Sequence, residues 1–234
     1  PAGLWMPEIG QVRNPRLVKA LRAALEHLGV EIRENVSVRG FVLQGQRVTA
    51  VETDQGREPV ERVVVAGGAW TAGLLQGTGW TPPVEPVRGQ MILFRGEVGQ
   101  IQRIVRAAGH YIIPRRDGRV LAGSTLEYVG FDKTTTEQAL NQLKAQATAL
   151  IPRLADAPVE HHWAGLRPGS PQGIPAIGRH PLLENLYVNT GHFRNGVVHA
   201  PASARLLSDL LLGAPPSLPP AAYDPENVME SMQE

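Results

Sequence analysis

The chain has 234 residues, 42% of them hydrophobic and 19% charged, with a formal net charge of +1 and no cysteine. That is apolar sequence for one large domain or two small ones. It excludes disulfides and cysteine-based metal or redox sites, and it provides no global field to gather nucleic acid or an anionic membrane.

No run approaches the roughly 20 apolar residues of a membrane span, and no basic-then-apolar leader opens the sequence. Residues 14–29 read as a helix. Asn14 suits the N-cap, Pro15 the first helical position and Gly29 the stop, while Leu17, Leu21, Leu25 and Leu28 recur at helical spacing. Short β-rich runs follow at 30–32, 36–43, 47–53 and 60–68, divided by turn signals at Gly45 and at Asp54-Gln55-Gly56. The first of these turns predicts an antiparallel pair. The run at 63–66 is apolar on both faces and predicts a buried strand.

A loop rich in Gly and Pro at 77–86 marks the expected domain boundary. Strands are expected at 87–96, 110–116 and 119–125, with a hairpin at Asp117-Gly118. Residues 134–151 form the clearest helix. Thr134 and Glu137 fit a capping box, one face carries Leu140, Leu143, Ala147, Leu150 and Ile151, and Pro152 ends it. Residues 159–169 predict a strand running into a rigid turn, 186–190 a short buried strand, and 196–212 a helix with Leu206, Leu207, Leu210 and Leu211 facing inward. The Pro-rich stretch after Gly213 predicts an extended tail.

Four segments bear on chemistry. In VVVAGGAWT (63–71) an apolar strand ends in two glycines, which serve either a tight turn or a close approach to a bulky ligand. In WAGLRPGS (163–170) Arg167 ends a strand beside Trp163 and Leu166; a shielded guanidinium needs a partner, either a structural acid or a substrate carboxylate. In GHYIIPRR (109–116) Tyr111 serves as core packing or as a hydrogen-bonding phenol. In GHFRNGVVHA (191–200) His192, Arg194 and Asn195 lie between glycines at the head of a helix, whose N-terminus suits electron-rich atoms; Asn195 also fits the cap. The histidines lack metal-ligand spacing, and adjacent His161 and His162 point to opposite faces of a strand, so no metal site is expected. There is no serine nucleophile elbow, no Walker loop and no GxGxxG after a buried strand.

Taken in order, VVVAGGAWT, VRGQMI, YIIPRRDGRVLAGST, WAGLRPGSPQGIPAIGRHP and GHFRNGVVHAPAS resemble the C-terminal part of the glycine oxidase branch of the flavin-dependent amine oxidases, a family that includes D-amino acid oxidase and sarcosine oxidase. The resemblance runs through most of residues 3–213. It implies a mixed α+β and α/β fold: an antiparallel-sheet substrate domain (1–13 and 77–184), the remaining part of a Rossmann-like FAD-binding domain (14–76 and 185–213), and an extended tail (214–234). It also implies FAD and oxidative deamination of a small amino acid such as glycine by hydride transfer to flavin. Imine and hydrogen peroxide are the products, and the imine serves thiamine biosynthesis. The flavin carries the chemistry, so no catalytic side chain is expected.

By the same resemblance Arg167 binds the substrate carboxylate, Tyr111 orients it and Arg194 is a second arginine near it. Val38, Ala66, Gly67 and the segment His192, Phe193, Arg194, Asn195, Gly196, Val197 and Val198 contact the cofactor. Two positions depart from the pattern: Gly109 stands where the family has a histidine, and Leu126 where it has a methionine. The family's dinucleotide fingerprint is not in this sequence. The chain is therefore expected to be a cleaved or truncated piece, or one subunit whose N-terminal half sits on another chain, and to bind FAD weakly alone. Other expectations are a homo-oligomer, a cytoplasmic location, no nucleic acid and no membrane span. The alternatives are a subunit of hydrogen cyanide synthase or of a D-amino acid dehydrogenase, or a catalytically silent fragment.

Overall fold

The computed structural model describes residues 3–230. In chain order, α1 (Asn14–His27), β1 (Val38–Gln44), β2 (Arg47–Thr53), β3 (Gly56–Pro59), β4 (Val63–Val65) and the short α2 (Thr71–Leu75) come first. Then follow β5 (Glu85–Arg95), β6 (Val105–Ala107), β7 (His110–Pro114), β8 (Arg119–Gly123), α3 (Glu137–Leu150), β9 (Val159–Gly169), β10 (Ala176–Arg179), β11 (Leu186–Thr190), α4 (Gly196–Leu212) and α5 (Pro225–Glu230). This is the expected mixture of antiparallel and α/β layers.

The chain divides into two compact units. One holds the residues up to Ile32, Gly89–Glu127 and Lys133–Gly165; the other holds Arg33–Arg88, Tyr128–Asp132 and the residues from Leu166 onward. In this division α1 groups with the first unit. Two of the five divisions fall inside β5 and β9, because strands of 11 residues carry the chain from one unit to the other without any composition break.

In the first unit β6-β7-β8-β5-β9 form a five-stranded sheet in which β6, β7, β8 and β5 run antiparallel. Alternation sends Ile92, Phe94, Ile112, Val120 and Ala122 to one face, where they pack on Leu143 and Ala147 of α3. Each large aliphatic buried this way stabilises by about 1.5–3 kcal/mol. The α3 cap is Thr136, whose side chain accepts from the Ala139 amide, so the helix starts later than Thr134. At α1 the N-cap is Arg13 without a side-chain bond, Asn14 is already helical, and none of the helix is buried.

In the second unit β1-β2-β3 form an antiparallel sheet, and β10-β11-β4 a mixed one in which β11 and β4 are parallel. Val48, Val65, Leu75, Leu186 and Val188 build one core, and Leu206 and Leu207 of α4 pack on Ile177. Asn185 stitches this region together. Its amide exchanges two 2.8 Å bonds with the Val48 backbone and donates to the Glu61 carbonyl, as a strand neighbour would.

Three further expectations are corrected. Residues 30–32 form no strand. Val64 is 43% exposed, because alternation turns only Val63 and Val65 toward the core and the opposite face of β4 is open. The stretch after Gly213 is not simply extended: α5 forms there and Val228 inserts into the core beside Val48 and Leu75. Residues 231–234 of that expected tail, and residues 1–2 of the expected N-terminal segment, lie outside the described residues.

Candidate functional site

Parallel strands β4 and β11 end side by side, and each runs into one of the segments singled out from the sequence. After β4, Ala66 is exposed and Gly67 half-buried. A Cβ on Gly67 would meet Leu74 Cδ1 at 2.9 Å and Thr71 Oγ1 at 3.3 Å, and Gly68 has φ +55°, so this turn needs both glycines. After β11 comes the loop at 191–195. Thr71 Oγ1 lies 2.9 Å and Thr190 Oγ1 3.2 Å from the Gly68 carbonyl oxygen, which ties the two strand ends together. The crevice outside the carboxyl ends of parallel strands is where open α/β sheets receive ligands.

The loop leads directly into α4. Its first backbone bond of helical spacing runs from the His199 amide to the Asn195 carbonyl, so the amides of Gly196, Val197 and Val198 keep their polarity for a ligand. Asn195 occupies the N-cap position but its side chain makes no cap bond. Phe193 holds a left-handed φ of +43°, a strained backbone for a non-glycine residue. His192 is half-buried with Nε2 3.0 Å from Ser203 Oγ; burial, then the neighbouring His199, hold its pKa below the usual value, which keeps the ring neutral. Arg194 is exposed and makes no side-chain bond or ion pair with another described residue.

Arg167 is brought to this loop by its neighbours. The Phe193 amide donates to the Pro168 carbonyl at 3.0 Å, and Ser170 Oγ donates to the Gly191 carbonyl at 2.5 Å. Gly169, two residues on, packs closely on β5, where a Cβ would stand 2.6 Å from Val87 Cγ2. Arg167 is half-buried, while Trp163 beside it stays partly open at 38% exposure, so the shielding expected from the sequence is partial. Val38 lies on a different sheet, at the start of edge strand β1 and next to a register shift between Val38 and Gly40.

Tyr111 belongs to the first unit, on the face of the five-stranded sheet opposite α3. It pairs with Gly123, which in turn pairs with Met91. The ring lies over Gly123, where a Cβ would come within 3.0 Å of the phenol oxygen, and the phenol points to Met91 Sδ at 3.8 Å. Gly109 has a structural reason: Ala108 and Gly109, at φ +47° and +80°, form the two-residue turn of the β6–β7 hairpin. Among the described residues no cluster of histidine and acidic side chains could hold a metal, and no helix is long and apolar enough to cross a membrane. Sequence reading missed Thr71, Thr190, Ser170 and Met91. Only the alternation along β5 hinted at any of them, by setting Met91 opposite buried Ile92.

Free amides and a glycine turn at the ends of parallel strands in one unit, and an antiparallel sheet carrying the Tyr111 phenol in the other, define a mixed α/β fold. The chain belongs to the FAD dependent oxidoreductase family, whose model matches residues 1–210. It is 53% identical over 224 residues to the glycine oxidase of Pseudomonas putida, covering 95% of this chain and 61% of that protein. To the bifunctional protein ThiO/ThiG of Synechocystis it is 40% identical, covering 97% of this chain and 34% of that protein. The crystal structure of glycine oxidase from Geobacillus kaustophilus superposes with a TM-score of 0.85 at 31% identity, covering 90% of this chain and 57% of that one. The chain thus spans about three fifths of the length of the glycine oxidases it matches.

Proposed function

We propose that this chain supplies the substrate-binding side and part of the cofactor cradle of an FAD-dependent oxidase of glycine or a similarly small amino acid, working in thiamine biosynthesis. The carrying observation is the junction of the Gly67–Gly68 turn, the head of α4 and the Arg167 strand end, held by the Thr71, Thr190, Ser170 and Pro168 bonds. These residues fit a flavin nucleotide. Gly67 has no room for a Cβ against Leu74 and Thr71, and Gly68 takes a left-handed φ of +55°, so this turn presents backbone alone, while the first amides of α4 remain free of helical bonds. Bound there, FAD would supply the hydride acceptor for the substrate carbon and the route for its electrons to oxygen.

The protein's part is position. Arg167 grips the substrate carboxylate through a charge-assisted pair, and Arg194 adds positive charge near the flavin loop. Tyr111, in the other unit, offers its phenol as a substrate-orienting donor. Ala66, Gly67 and residues 192–198 line the cofactor, and Val38 offers backbone to its nucleotide end. The matches to glycine oxidase and to ThiO/ThiG support both the substrate class and the pathway.

Purification of the protein that contains this chain tests the reading. A yellow, flavin-loaded protein that releases peroxide with glycine agrees with it, and a colourless, folded protein that ignores added FAD overturns it. In the active protein, Arg167→Ala should raise KM far more for amino acids than for simple amines. Equal effects on both would remove the carboxylate role.

A further inference from the structure

Within the first unit, the segment that leads into α1 is fastened to the end of β7. The Gln11 side-chain amide donates to the Pro114 carbonyl at 2.8 Å. Arg13 follows two residues later as the N-cap of α1, and the Arg16 amide closes the first turn on the Arg13 carbonyl at 2.9 Å. On the other side of the bond, Arg115 directly follows Pro114. Its place is fixed by the β7–β8 hairpin: its amide donates to the Arg119 carbonyl at 2.8 Å, and its carbonyl accepts from the Gly118 amide at 3.1 Å. One side-chain bond therefore gathers three arginines from two segments.

Counter-charge is short at this place. Arg13, Arg16 and Arg115 make no ion pair or side-chain hydrogen bond with any described residue. The first turn of α1 has no acidic residue. Asp117 is the carboxylate near them, but it accepts from the Arg119 amide at 3.2 Å and lies 3.4 Å from Arg119 Nη1. Glu160 is held at 2.6 Å by both Arg95 and Arg119. Arg115 is half-buried, and burial, then Arg13, lower its pKa; Asp117 acts in the opposite direction and Arg16 adds to the lowering. A partly shielded guanidinium among like charges calls for an anion. A single carboxylate would offset one charge of the three, whereas a phosphate dianion or a diphosphate offsets two or more and matches the guanidinium fork.

We infer that Arg13, Arg16 and Arg115 form a binding site for a multiply charged phosphate group, carried as a monophosphate or diphosphate by a small soluble molecule. The inference does not draw on the oxidase reading.

The test titrates the purified protein that contains this chain with inorganic phosphate and diphosphate in a calorimeter, at one ionic strength set by chloride. Diphosphate should bind more tightly than phosphate. Arg13→Gln and Arg115→Gln should each weaken diphosphate binding about tenfold. Arg153→Gln, which removes the same charge from an exposed position at the far end of α3, should stay within about twofold. In chloride alone Arg115→Gln should melt no lower than the parent, because it relieves repulsion, while added diphosphate should raise the melting temperature of the parent more than that of the variant. Absent diphosphate binding, or equal weakening by Arg153→Gln, overturns the inference. So does a hexaglutamate peptide that binds as tightly as diphosphate, which marks a surface for acidic protein. A lower melting temperature for Arg115→Gln in chloride overturns it as well, because Arg115 then already has its counter-charge.

Discussion

Thr71 and Thr190 place their hydroxyls 3.0 Å apart, and both reach the Gly68 carbonyl oxygen. Two residues 119 positions apart in sequence thereby fasten the turn after β4 to the end of β11. Both side chains are almost wholly buried, so the bonds are not exchanged for water. Thr71→Val or Thr190→Val alone should cost about 1 kcal/mol in urea unfolding. The double variant should depart from additivity, because each hydroxyl partly covers for the other. If the cofactor reading holds, flavin retention should fall in the same order as stability.

Gly169 and Gly165 offer a matched pair on β9. A Cβ at Gly169 would come 2.6 Å from Val87 Cγ2 and 3.2 Å from the Glu85 carbonyl oxygen, whereas one at Gly165 meets nothing within 4 Å. Gly169→Ala should destabilise by about 1–3 kcal/mol through overpacking. Gly165→Ala should be neutral or slightly stabilising, because it lowers the entropy of the unfolded chain. Thermal melts of both variants give the comparison, and equal behaviour would contradict the close packing of β9 on β5.

Asn185 should be among the least replaceable side chains. It is 3% exposed and satisfies the amide and carbonyl of Val48 as well as the Glu61 carbonyl. Asn185→Ala strands buried backbone groups and should cost about 3 kcal/mol. Asn185→Asp keeps the acceptor for the Val48 amide but turns a carboxylate oxygen toward two carbonyls, and should be no better. Chemical unfolding of each variant checks this.

Stability should fall on mild acidification. His180 is buried, accepts the Leu182 amide on Nδ1 at 3.1 Å, and lies 2.9 Å from Thr78 through Nε2. That pattern puts the proton on Nε2. Burial lowers its pKa from the ordinary 6.5, and burial does the same to His162 and His192. As pH drops through 6.5 the unfolded chain takes up protons that these native rings refuse, so stability present above 6.5 is lost below it. The loss levels off once the native rings are themselves protonated. Melting temperature measured from pH 8 to pH 5 should decline, and His180→Gln should flatten the decline.

Surface leucines of α1 should behave differently from those of α4. Leu21 is 55% exposed while Leu206 is fully buried. Leu21→Ser should change the stability of this chain by no more than about 0.5 kcal/mol. Leu206→Ala should cost about 2–5 kcal/mol by opening a cavity.

The same contrast explains what the sequence could and could not tell. Strand β9 and helix α4 end where they were expected, at 159–169 and 196–212, because glycine and proline punctuate both. Strand β3 was invisible: its GREP sequence has no apolar alternation and pairs only because β2 lies alongside. The periodicity of α1 was legible, but no pattern within a helix says whether its apolar stripe is covered. Three successive threonines, Thr134 to Thr136, made the α3 cap ambiguous by local sequence alone. In the candidate site the need for glycine after β4 was readable from VVVAGGAWT. Thr71 meeting Thr190 follows only from strand register, which a single sequence does not print.

Helix α4 carries Pro201 near its start. Proline has no amide hydrogen, so the Val197 carbonyl loses its partner one turn on. The helix is thus more weakly bonded at its start than along its length. Its far portion, with Leu206 and Leu207, is clamped in the core, while the opening turn is held by one bond fewer and bears the loop at 191–195. Small corrections in the aim of those first amides can be absorbed near Pro201, leaving the anchored portion where it is.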